Sequence, residues 1–81
     1  MSNSRKKAVI YRIDGEHQEF QTLADAKNHI WGAYTPNERI KYFGKETSYI
    51  VGIDRNDEVV SITEVKVDES GKESFGRTKR Y

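Results

Sequence analysis

Polar and apolar residues alternate from Ala8 to Ile13, with Val9, Tyr11 and Ile13 on one side of an extended chain. Ala8, Ile10 and Arg12 fall on the other, a period of two that predicts a strand. Asp14-Gly15 follows, a strong two-residue hairpin signal between alternating segments. Such a turn sets Ile13 opposite Glu16, Tyr11 opposite Gln18 and Val9 opposite Phe20. Val9, Tyr11, Ile13 and Phe20 then share the core face, and Arg12 and His17 share the solvent face.

The period changes to helical over residues 22–34. Leu23, Ala26, Ile30 and Ala33 or Tyr34 form one stripe, with Trp31 at its edge. Thr22 suits the N-cap, its hydroxyl placed to accept from the Asp25 amide. Residues 35–43 carry two signals. Thr35-Pro36-Asn37-Glu38 opens like a helix, whereas Arg39-Ile40-Lys41-Tyr42 alternates like a strand. The expectation is one helical turn over 36–39 running into a strand at 39–43.

Residues 48–53 are apolar on both faces, as in a central strand. A polar turn at Asp54-Arg55-Asn56-Asp57 leads to a strand over 58–67. In that strand Val60 and Ile62 have one parity and Val65 and Val67 the other, which predicts a β-bulge near Thr63-Glu64; the alternative is a strand whose outer half packs on both sides. A turn at Glu69-Ser70-Gly71 and a short edge strand over 72–75 complete the pattern. Residues 76–81 show no clear periodicity and are expected to fray. The fold class is α+β in the order β-β-α-β-β-β, an antiparallel sheet with one helix on one face. That element order resembles several small bacterial and phage proteins, some anti-CRISPR inhibitors among them; the resemblance is of fold alone and carries over no residue.

Length and charge refine this picture. Eighty-one residues suit one domain over 8–75, with a basic arm at 1–7 and a basic tail at 76–81. Six of the fourteen bases lie in residues 1–7 and 77–81, which hold no acid. The other eight share residues 8–76 with all thirteen acids, so the body carries −5 and the ends +6. There is no cysteine, which excludes disulfides and thiolate metal sites and points to the cytoplasm. No run of the chain is long and apolar enough for a leader or a membrane span.

Catalytic chemistry finds no footing. His17 and His29 have no ligand-spaced companion, and no cofactor motif is present. Asp54-x-Asn56-x-Glu58 starts like a calcium loop, but Val59 and Val65 stand where the pattern needs Gly and Glu. The expectation is a non-enzymatic interaction module without metal or cofactor. Nine aromatics exceed what so small a core hides, and Trp31, Tyr34, Tyr42 and Phe43 form the candidate interface for a protein partner or a second copy. The alternative is nucleic-acid binding through Arg5, Lys6, Lys7, Phe75, Arg77, Lys79, Arg80 and Tyr81, where bases meet aromatics. That alternative requires the two ends to converge.

Overall fold

The computed structural model describes residues 7–45 and 47–81. It contains β1 (Ile10–Ile13), β2 (Glu19–Phe20), α1 (Leu23–Ala33), α2 (Pro36–Phe43), β3 (Ser48–Ile53), β4 (Val59–Val67), β5 (Glu73–Phe75) and β6 (Lys79–Arg80). The sheet is antiparallel in the order β2-β1-β3-β4-β5, with β6 also paired to β4. This is the expected α+β architecture, enlarged by a second helix and a sixth strand. Among the described residues no helix is long and apolar enough to cross a membrane.

The helices cover one face of the sheet. Ile13 pairs with Ile50 and Ser48 with Val65, so these side chains project to a common side. There Ile13, Phe20, Ile50 and Val65 meet Ala26 and Ile30 of α1 and Phe43 of α2. Each fully buried isoleucine in this cluster contributes about 1.5–3 kcal/mol. α1 begins as its sequence indicates, with the Asp25 amide donating to Thr22 Oγ1 at 3.0 Å.

α2 replaces the strand expected over residues 39–43. Thr35 and Glu38 close a reciprocal capping box: the Thr35 amide donates to Glu38 Oε1 at 2.9 Å, and the Glu38 amide donates to Thr35 Oγ1 at 3.2 Å. Its buried positions are Arg39 and Phe43, four residues apart and on one helical face. The alternation that suggested a strand arose because one core-facing position is an arginine.

Three further expectations are corrected. The hairpin register is wider, with Tyr11 opposite Phe20 and Arg12 opposite Glu19. Gly15 alone in the Asp14-Gly15 pair takes a positive φ, so the tight turn with two such residues does not form. Val9 accordingly leaves the core and is 41% exposed, and Arg12 meets Glu19 at 2.6 Å rather than His17. No bulge forms at Thr63-Glu64: β4 pairs with β3 in continuous register from Ser61 to Val65, leaving Ile62 and Val65 on opposite faces, and the register slip lies earlier, between the Gly52–Ser61 and Ile53–Val59 pairs. It sits against the β3–β4 turn, where Asp54 Oδ1 accepts from the Asn56 and Glu58 amides at 2.8 and 3.0 Å.

Residues 79–80 do not fray. β4 is nine residues long, and β5 covers only its far end. β6 satisfies the near end, pairing Lys79 with Ile62 and Arg80 with Ser61, and the Tyr81 amide donates to the Val60 carbonyl at 2.9 Å. Between β5 and β6 the register slips by one residue, so Gly76 and Arg77 together oppose Glu64.

Candidate functional site

On the helix side, aromatic rings run from the core to the surface. Phe20 packs on His29 at 5.0 Å between centroids, His29 on Tyr34 at 5.6 Å, and Tyr34 on both Tyr42 and Phe43 at 5.8 and 5.4 Å. The Tyr34 hydroxyl donates to Glu16 Oε2, and Glu16 Oε1 lies 3.4 Å from His29 Nε2. Glu16 therefore ties the β1–β2 loop to the end of α1, which helps explain the widened hairpin.

The four interface candidates divide. Trp31 is 66% exposed and Tyr42 58%, whereas Tyr34 is half-buried and Phe43 belongs to the core at 4%. Phe43 is corrected from interface to core because α2 turns its buried face inward. Among the described residues no ring contact joins Trp31 to Tyr42. They are separate anchors on one helical layer.

Burial first, and then the hydrogen bond to Glu16, push the Tyr34 phenol well above its ordinary value of 10.0. Below that value the phenol is protonated whether the chain is folded or unfolded. As pH rises beyond it, the unfolded chain releases this proton while the folded chain retains it, so stability falls. Thermal unfolding of wild type and Tyr34→Phe should differ by a constant amount below pH 10.0 and converge above it. Parallel curves throughout that range would remove Tyr34 as the cause.

Among the described residues no helix covers the opposite face of the sheet. Glu19, Arg12, Val51, Ile62 and Lys79 form a row across it by strand pairing. Beside this row lies an open groove of about 250 Å³ lined by Tyr49, Ile62, Glu64, Gly76, Arg77 and Lys79. Two cations on this face are matched: Arg12 by Glu19 at 2.6 Å and Lys66 by Glu64 at 3.1 Å. Among the described residues no ion pair engages Arg77 or Lys79.

The nucleic-acid candidates are likewise divided. Phe75 packs against the core, with Lys27 Nζ 5.1 Å above its ring. Arg80 and Tyr81 are exposed on the edge, and Lys7 is exposed before β1. Arg5 and Lys6 lie outside the described residues. The described ends do converge. The Val9 amide donates to the Ile53 carbonyl and the Tyr81 amide to the Val60 carbonyl, while Ile53 pairs with Val59. Both ends thus leave the same end of the sheet.

Sequence reasoning missed Tyr49 as a groove residue and Gly76 and Arg77 as a bulge. A usable signal was present: Arg77, Lys79 and Tyr81 alternate, as an edge strand would. No family model, curated protein or solved structure matches the chain.

Proposed function

We propose that this chain is a non-enzymatic interaction module that docks a protein through its helix layer. Its working place is the cytoplasm, a reading that rests on the cysteine-free composition. The observation that carries the proposal is Trp31, a large indole 66% exposed in the last turn of α1. Tryptophan is enriched among residues that dominate binding, and leaving one in water forgoes a large apolar burial. Tyr42 supplies a second anchor on α2.

A photo-crosslinking amino acid placed at position 31, and separately at the exposed position 28, tests this in cells. Discrete protein adducts at 31 and none at 28 are the expected result. Equal labelling at both positions, or none at either, would defeat the reading. Sedimentation of the purified chain then separates a second copy from a different partner.

A second reading, nucleic-acid binding, is favoured by one observation: the described ends converge at one end of the sheet, bringing Lys7 to the same side as Arg80. The acidic body weighs against it as a general polyanion surface. A cationic site on this protein must therefore be local.

A further inference from the structure

We infer that the groove on the uncovered sheet face binds single-stranded nucleic acid, with a base against Tyr49 and Ile62 and the adjoining phosphates on Arg77 and Lys79. This rests on the second reading above and gives it a site. The groove's volume, about 250 Å³, is on the scale of one nucleoside, and the groove is open to solvent. Its floor is apolar and aromatic, from Ile62 and Tyr49, and both are half-buried and so held in place by the sheet.

The cations owe their position to the slipped register. Gly76 and Arg77 share the place opposite Glu64, so the edge bulges and brings Arg77 to the groove beside Lys79. Gly76 keeps the floor open: a Cβ there would stand 3.1 Å from Glu64 Cβ. The one carboxylate in the lining, Glu64, is already matched by Lys66. The lining therefore carries two positive charges with no ion-pair partner among the described residues, next to an aromatic face, the combination that tracks phosphate while stacking bases. Beyond it, Arg80 and Tyr81 continue along the edge toward the end where Lys7 stands. A duplex keeps its base faces stacked inside and would leave Tyr49 unused.

The test is fluorescence anisotropy with a labelled oligothymidylate of about ten residues, in about 50 and 200 mM salt. A duplex of equal length, inorganic polyphosphate and a polyglutamate peptide are compared with it, and amide shifts map the contact. The oligothymidylate is expected to bind most tightly, more weakly as salt rises, with shifts at Tyr49, Ile62 and residues 76–79. Tyr49→Leu should weaken it about tenfold, the scale of one lost stacking contact, while leaving polyphosphate unchanged. Arg77→Glu with Lys79→Glu should weaken both. Arg77 and Lys79 are exposed and Tyr49 is half-buried, and an unaltered amide spectrum outside the groove confirms that the fold survives each change. If polyphosphate or duplex binds as tightly and Tyr49→Leu has no effect, the groove is overturned while nucleic-acid binding by the basic ends stands. If polyglutamate binds best, the face is a protein site and the groove assignment falls. No binding in low salt removes both the groove and the second reading.

Discussion

Arg39→Met is expected to cost about 3–5 kcal/mol, against a total of about 4–12 kcal/mol for a domain of this length. Arg39 is 8% exposed and bonds to three backbone carbonyls in two separate places. Its Nε donates to Gly71 at 2.6 Å, and its Nη1 donates to Trp31 at 2.8 Å and Tyr34 at 2.9 Å. Two of those acceptors end α1, where carbonyls lack helical partners and the helix dipole is negative. α1 has no basic residue in its own last turn, so α2 supplies the charge from outside. The third acceptor is in the β4–β5 turn. One guanidinium thus fastens both helices to the sheet's far loop. Methionine keeps much of the aliphatic stem but leaves all three carbonyls without their donor. Arg39→Lys should recover only part of the loss, because an ammonium cannot reproduce the planar fork. Urea unfolding measures both. A change in Arg39→Met below about 0.5 kcal/mol, the range of an ordinary surface substitution, would show that water replaces the guanidinium freely.

Arg39 also explains what was hard to read in the chain. Residues 22–34 were legible as a helix because a cap, an apolar stripe and an acid in the first turn all agree. In residues 35–43 the capping signals agreed with a helix, but the stripe included a buried arginine, which hydrophobic periodicity scores as a surface position. The β4 parity switch is not a bulge: the strand runs in register from Ser61 to Val65, so Ile62 lies on the outer face and Val65 in the core, the two-sided packing that the same pattern also allows. The outer-face groove depends on which strand covers the near end of β4, a contact between residues about twenty apart. The cations were visible as a basic tail, and the exposure of Trp31 was visible from its place at the edge of a helical stripe. What could not be read locally was pairing: that Phe43 and Phe75 turn inward, and that Arg77 turns toward Tyr49.

The other end of the Arg39 contact gives the second large effect. Gly71 is buried at φ +83°, and a Cβ there would lie 2.6 Å from the Cβ and carbonyl oxygen of Pro36 and 2.7 Å from its Cα. Two of these atoms are backbone at the start of α2, so no flexible side chain can move aside. The turn itself is held: Asp68 Oδ1 accepts from the Ser70 amide at 2.9 Å, the Ser70 hydroxyl at 2.7 Å and the Lys72 amide at 3.0 Å. Those bonds keep the Asp68 carboxyl below its ordinary value, the Ser70 hydroxyl contributing most. Gly71→Ala therefore combines left-handed strain of about 1–2 kcal/mol with overpacking of about 1–3 kcal/mol, an expected loss of about 2–5 kcal/mol. Relief of the clash requires the turn to withdraw from α2, and the Gly71 carbonyl would then leave Arg39 Nε. The two substitutions accordingly damage the same joint. In a double-mutant cycle by urea unfolding, Arg39→Met with Gly71→Ala should fall short of the sum of the single losses by about 1 kcal/mol or more. Strict additivity would mean that the clash is relieved without separating the Gly71 carbonyl from Arg39 Nε. Because the Gly71 carbonyl can reach Arg39 only if nothing separates the turn from Pro36, the absence of a side chain at this position is what permits one arginine to join the two layers.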